Sequence, residues 1–278
     1  MSKTSKKPKL KLRKGVIWVL VGVVIFGLIW KRVLEIREPN RKEPVVEIPQ
    51  MIKNDYDFSK YYIYEDDYLH YDDDNYTSCI GIDVSQHNGV IDWTKIKDQG
   101  VSFVYIRCGY RGYEGGVLHE DTRHIENSEG ALANGLDVGV YFVTQAIDEK
   151  EAVAEAKFVL DLVKGYKVKL PIVLDAEYAT DHDRIRELTP EQLTANAVAF
   201  SEYVRKKGKD CMIYASAAWL QNEYQTGLLQ DKNTFWVASY GHDHNPYQYQ
   251  YDMWQYSNIG ELEGISGPVD INIMLIKK

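Results

Sequence analysis

From residue 79 onward the chain alternates short β-rich runs with helical segments, and this alternation constrains the fold more than any other feature. Eight runs stand out: 79–85 (CIGIDVS), 102–110, 137–146, 170–178, 210–216, 234–240, 251–257 and 269–276. Several are almost continuously apolar, as strands buried on both faces must be. The first five are each followed by a helical stretch, at 92–99, 121–134, 149–164, 190–207 and 216–225. In the third, Val153, Ala156, Val159 and Val163 recur at helical spacing, and Gly165 stops the pattern. In the fourth, Thr189 is a natural N-cap, Pro190 fits the first helical position and Gln192 can complete a capping box. The last three strands follow one another through connections too short for full helices. Repeated βα units give parallel strands through right-handed crossovers. The expected fold is therefore α/β: a closed, TIM-like barrel that has lost its last helices. An open doubly wound sheet would place a glycine-rich phosphate loop after the first strand, and DVSQHNGVIDW at 83–93 is not one.

The run PIVLDAEY, residues 171–178, spends one strand face on two acids. Side chains two apart on a strand point the same way, so Asp175 and Glu177 share a face where Val or Ile would ordinarily sit. Catalytic groups of β/α barrels lie at the C-terminal strand ends. Asp83 lies toward the end of the first strand, and Asp270 opens the last or ends the loop before it. Closure makes first and last strands neighbours, so four carboxyls can meet at one mouth. Crowded carboxyls raise at least one pKa. A carboxyl kept protonated can then donate to a leaving oxygen while an ionised partner stabilises positive charge at a sugar carbon. Two other readings use the same residues. The acids could be structural ion pairs with Arg107 or lysines, or oxygen ligands for calcium or magnesium.

Tyr110, Tyr141, Tyr178, Tyr214, Tyr240, Trp254 and Tyr256 cluster near the same strand ends. A saccharide cleft would use two or three of them, although tyrosine is also a common strand residue. His87, His119, His182, His242 and His244 fit no standard zinc spacing and read as solvated loop residues. No metal and no cofactor are expected. Cys79, Cys108 and Cys211 are odd in number and lie in or beside apolar runs, so they read as small buried hydrophobes.

The N-terminus is built differently. Residues 1–14 carry seven Lys or Arg and no acid. Of the net charge of −8, −16 falls on residues 51–278, an acidic body that excludes nucleic acid as a partner. Gly15–Trp30 holds sixteen uncharged residues, with Trp18 and Trp30 near its ends and Lys14, Lys31 and Arg32 beside it. That is short for a membrane helix, but the flanking cations can snorkel. No small-x-small site follows, which argues against a cleaved signal peptide. The segmentation read from this is a cytoplasmic basic tail (1–14), a single-pass transmembrane signal anchor (15–32), an extracellular stalk or linker (33–77) and a catalytic domain (78–278). The Tyr- and Asp-rich stretch before residue 78 has two readings: acids that repel and extend it, or tyrosines that pack on the domain that follows.

The segments GIDVSQHNGVIDW, VSFVYIRCGY, HIENSEGALANGLDVGVYF, LPIVLDAEY, MIYAS, FWVASY, WQYS and VDINIM, in this order, resemble glycoside hydrolase family 25, the Chalaropsis-type lysozymes. The resemblance covers roughly residues 79–278 and implies a (β/α)5(β)3 barrel. It implies cleavage of the β-1,4 bond between N-acetylmuramic acid and N-acetylglucosamine in peptidoglycan glycan strands. By the same resemblance Glu177 is the general acid, Asp175 its partner, Asp83 and Asp270 the further acids of the first and last strands, and Tyr141 and Tyr214 the site tyrosines. Tyr178 and Trp254 are added as sugar contacts. Phe142 stands where histidine is common in the family. A barrel that binds the wall without catalysis, and a glycosidase for another N-acetylated polymer such as chitin, are the alternatives. The implied setting is the outer face of the cell membrane, alongside machinery of the cell envelope.

Overall fold

The structure is a computed structural model that describes residues 47–64 and 67–278. The basic tail, the apolar run at 15–32 and residues 33–46 lie outside the described residues. Among the described residues no helix is long and apolar enough to cross a membrane.

Eight strands close a barrel in the order β3 (Tyr76–Val84), β4 (Phe103–Arg111), β6 (Asp137–Val143), β7 (Ile172–Asp175), β8 (Cys211–Ser216), β9 (Thr234–Ala238), β10 (Met253–Gly260) and β11 (Val269–Lys277), which returns to β3. The short strand β5 (Leu118–Glu120) hangs on β4 as a hairpin. Helices α1 (Trp93–Asp98), α2 (His124–Ala133), α3 (Glu149–Leu162), α4 (Pro190–Lys206) and α5 (Ala217–Asn222) follow the first five barrel strands. Each expected strand and helix is present within a few residues of its expected bounds. Thr189 Oγ1 caps α4 by accepting from Gln192 N at 3.3 Å, but the Gln192 side chain reaches Asn196 and Glu149, so the capping box is only half made.

One expectation changes. The seven barrel strands before β11 run parallel to one another, but β11 is antiparallel to both β10 and β3. With no helix between them, β10 and β11 join as a hairpin, which forces reversal. The reversal puts the start of β11 at the barrel's mouth, where Asp270 stands directly opposite Asp83 in the ladder.

Alternation sorts every strand. Inward-facing Phe103, Tyr105, Val173, Met212, Trp236 and Met253 form the barrel's own core. Their outward neighbours, such as Val104, Ile172, Ile213 and Phe235, join the larger core beneath the helices and loops. Gly81 and Gly139 make room inside: a Cβ at either would lie 2.3 Å from the ring of Phe103 or Tyr105. The three cysteines are free, Cys108 and Cys211 buried.

Residues 48–278 form one compact unit, so residues 48–77 pack with the barrel, the second of the two readings of that stretch. Asn54 Nδ2 donates to the carbonyls of Tyr247 and Tyr249 at 2.9 and 3.2 Å, and Tyr56 Oη donates to that of Tyr251. Strands β1 (Tyr61–Ile63) and β2 (Leu69–Tyr71) form an antiparallel pair whose Tyr61 ring meets Trp254 edge-on at 5.7 Å. This extension covers the flank of β10 and β11 that the missing helices would otherwise cover. Apolar surface on the outer face of a barrel strand must be buried somewhere, and here tyrosines supply the cover.

Candidate active site

At the mouth a cavity of about 220 Å³ is lined by Asp83, Asp175, Glu177 and Asp270 together. Alternation explains each placement. On β7, Ile172 and Leu174 face out while Val173 and Asp175 face in. Ala176 is buried outward, and Glu177, just past the strand, returns to the mouth. Asp83 ends the inward face of β3, and Asp270 comes from the reversed strand.

Asp83 is held firmly. Gln255 Nε2 and Asn272 Nδ2 both donate to its Oδ2 at 2.8 Å. Each amide is itself fixed. Trp236 Nε1 donates to Asn272 Oδ1 at 2.8 Å, and the Tyr214 and Tyr240 hydroxyls donate to Gln255 Oε1 at 2.8 and 2.5 Å. Asp175 is buried and its Oδ1 has no hydrogen-bond partner among the described residues. Glu177 is accessible at the rim.

All four acids are pushed toward the protonated form. Burial raises Asp83 to about 8, with Asp270 the next cause and the two amide donors opposing. Burial raises Asp270 to about 6. Asp175 is driven well up by burial and then by Glu177, against Arg107. Glu177 goes up through the surrounding protein that displaces bulk water around it, and then through Asp270, again against Arg107. Four carboxyls in one low-dielectric space cannot all ionise at neutral pH.

The ion-pair reading of these acids does not hold. Among the described residues none of the four forms a salt bridge. Arg107, which does line the cavity, gives its Nε to Asp121 Oδ2 at 2.8 Å. Among the described residues no three His, Cys, Asp or Glu side chains are arranged to hold a metal ion.

Of the expected sugar contacts, Tyr141 and Tyr214 line the cavity. Tyr178 does not. Its ring lies 4.3 Å from that of Trp219, with the Arg186 guanidinium 4.3 Å above it, and its hydroxyl donates to Glu223. Trp254 is a correction: it is fully buried, faces outward between Met253 and Gln255, and its Nε1 donates to Ser239 O at 2.7 Å. Phe142 likewise faces the helices, so its departure from the family pattern lies away from the cavity. Sequence reading missed the parts played by Gln255 and Asn272. The signal was available: each is a polar residue on the inward phase of an apolar strand, as Asp175 is.

Residues 82–265 match the model of the Glycosyl hydrolases family 25. The chain belongs to this family. An autolytic lysozyme of Clostridium acetobutylicum is 27% identical over 192 residues, covering 69% of this chain and 54% of that protein. Lysozyme M1 of Streptomyces globisporus is 29% identical over 202 residues, covering 69% and 66%. The chain thus spans about half to two-thirds of these relatives. Among solved structures, the modular autolysin LytC of Streptococcus pneumoniae superposes with a TM-score of 0.63 at 26% identity, over 82% of this chain and 52% of that one. LytC has also been solved with a synthetic peptidoglycan ligand. Residues 78–278 alone are too few to supply an 82% share, so the likeness to LytC reaches upstream of residue 78.

Proposed function

We propose that this protein is a membrane-anchored peptidoglycan hydrolase that cleaves the β-1,4 bond between N-acetylmuramic acid and N-acetylglucosamine. The observation that carries the reading is the convergence of Asp83, Asp175, Glu177 and Asp270 on one cavity without a basic partner bonded to any of them. A fold does not keep such a cluster for stability. Lysozymes among the relatives, and LytC's peptidoglycan complex, favour the same substrate.

Glu177 is the general acid. Its raised pKa keeps a proton available at the accessible rim, where a glycosidic oxygen can reach it. As that proton moves to the oxygen, the bond to the anomeric carbon breaks and positive charge develops on the sugar. Asp175 answers that charge, directly or by accepting the N–H of the substrate's acetamido group while its carbonyl oxygen closes on the carbon. The unpartnered Oδ1 of Asp175 suits either role. Burial favours neutral Asp175, and arriving positive charge reverses that preference. Water then attacks the carbon and gives a proton to Glu177. The Asp83–Gln255–Asn272 cluster holds the cavity's polar wall in place.

The test uses the full chain on purified peptidoglycan, read by turbidity and by mass spectrometry of the fragments. Glu177→Gln should lose activity by about 10²–10⁴-fold, the usual worth of a positioned proton donor. Equal clearing by the two proteins sinks Glu177 as the acid. Muramic acid at the new reducing ends identifies a muramidase, whereas N-acetylglucosamine there, or cleavage of chitin in preference, overturns the assigned bond. The anchor rests on the sequence of residues 1–32 alone. The full chain should sediment with membranes and resist alkaline extraction; recovery in the supernatant would refute it.

A further inference from the structure

Two loops at the mouth carry cavity residues, and one arginine ties them to each other and to α3. The loop after β7 carries Glu177, and the β4–β5 turn carries Tyr113. Arg184, in the first loop, makes a two-pronged ion pair with Glu151 on the first turn of α3: Nη1 to Oε2 at 2.8 Å and Nη2 to Oε1 at 2.9 Å. Its Nη1 also donates to Gln145 O at 2.9 Å, and its backbone N donates to Tyr113 O at 3.2 Å. The guanidinium lies against Gly116 of the β4–β5 turn, where a Cβ would come within 2.6 Å of it. Arg111 anchors the same turn, donating to Gly116 O at 2.7 Å and to the buried Glu155 at 2.6 Å. Glu155 accepts from Thr144 Oγ1 at 2.6 Å. Asp183, next to Arg184, gathers Ala179 N, Thr180 N and Thr180 Oγ1 and so stiffens the path back to Glu177.

We infer that the Arg184–Glu151 pair, seated on Gly116, is a latch that positions Glu177 and Tyr113 across the cavity from each other. Its members are positioning residues, since none lines the cavity. This deepens the proposed hydrolase reading and rests on it for its kinetic consequences. An isolated surface ion pair would carry little weight. This one is mostly shielded, bidentate and backed by backbone acceptors on two other segments, the arrangement that fixes a loop. Released, the loop would carry Glu177 toward water and away from Asp270 and Arg107; burial and Asp270 raise its pKa by more than Arg107 lowers it, so the pKa would fall toward an ordinary carboxyl.

The test compares three full-chain variants: Arg184→Lys, which keeps the charge but loses the fork; Glu151→Gln, which removes the anion; and Gly116→Ala, which leaves every charge in place, crowds the guanidinium and strains the turn at its φ of +66°. Each should lower kcat on soluble glycan strands by about tenfold to a hundredfold, the scale of a misplacement near 1 Å. Each should also move the alkaline limb of the pH–rate profile to lower pH and lower the Glu177 titration followed by ¹³C NMR. A purely structural role would lower the melting temperature and leave the limb and the titration where they are. Unmoved limb and titration in the folded variants, Gly116→Ala included, overturn the latch. The NMR titration decides this even if the wild type releases no reducing ends, a result that sinks the proposed function by itself.

Discussion

Asp83→Asn should make the folded protein more stable at alkaline pH and should do nothing for it in acid. Asp83 is buried and stands opposite Asp270 on neighbouring antiparallel strands. Residues so paired hold their Cβ atoms about 5 Å apart. Two charges at that distance repel by roughly 3 kcal/mol at an effective dielectric constant of 20. Burial adds to this, and the rise of Asp83 from 3.8 to about 8 sets a ceiling near 6 kcal/mol at ~1.4 kcal/mol per pKa unit. Asparagine removes the charge at almost constant shape. Its oxygen can take both amide donors, Gln255 Nε2 and Asn272 Nδ2, and its nitrogen offers Asp270 a donor in place of a rival charge.

The sign follows from the direction of the shift. A carboxyl raised in the folded state binds its proton more tightly there than in the unfolded chain, so its penalty is absent below the unfolded value near 3.8 and complete above about 8. The difference between variant and wild type should therefore open between pH 4 and pH 8 and then stay level. With about 3 kcal/mol in play and roughly 2–4 °C per kcal/mol for a domain of this size, the variant should melt some 6–12 °C above wild type at pH 9. Thermal unfolding followed by circular dichroism at pH 4 and pH 9 measures this. A variant that melts lower than wild type at pH 9, or that gains equally at both, refutes the charge-crowding account. Loss of hydrolysis in the stabilised variant would be the usual exchange of site strain for stability.

Three further outcomes follow from the same geometry. Asp270→Asn removes the second cause of Glu177's raised pKa, so the alkaline limb of kcat/KM should move to lower pH; activity needs protonated Glu177 and fails as pH passes its pKa, and an unmoved limb would show that Asp270 does not act on it. Trp254→Ala should cost about 3–5 kcal/mol of stability, read by urea unfolding, because the ring is wholly buried, while the folded fraction keeps its KM; a raised KM would return Trp254 to the sugar site. Truncation to residues 78–278 uncovers Tyr251 and Trp254, at roughly 1.5–3 kcal/mol for each aromatic exposed, and should yield a less stable domain that binds a hydrophobic dye; unchanged melting would show that the extension does not cover the barrel.

The sequence disclosed the barrel because each strand needed a visible apolar run and each early helix a visible period and stop. It did not disclose the extension's packing. The stretch from Asn54 to Tyr76 mixes Tyr and Asp without a period, and its two short strands are held by what they lie on. Tyr56, Tyr61 and Tyr71 look polar to a composition argument, yet Tyr56 packs its ring on Tyr251, Tyr61 on Trp254 and Tyr71 on Tyr56 and Tyr61, while their hydroxyls bond Tyr251 O, Tyr251 Oη and Asp73 Oδ2. Nor does local pattern reveal strand direction. Only the absence of a helix between β10 and β11 implies reversal, and that reversal decides which end of the barrel receives Asp270.

Which of the expected site residues line the cavity follows from a single rule, the alternation of side chains along a strand. Alternation by two took Asp175 and Glu177 to the same face. It also takes Tyr141 and Tyr214 inward, and it puts Trp254 outward because Gln255, its neighbour, is inward. Trp254 entered the sugar list on residue type and nearness to a strand end, with phase ignored. Had phase been kept, the polar Gln255 would have replaced it. Asn272, two positions after Asp270 and on the same face, would have joined the acids as their hydrogen-bond support. The working criterion in a closed barrel is therefore the phase of a polar residue within an apolar strand. A polar side chain forced inward must be paired; Asp83 finds two amide donors and Asp175 Oδ1 finds none, and with Asp270 and Glu177 as neighbours both carboxyls are driven toward the neutral form.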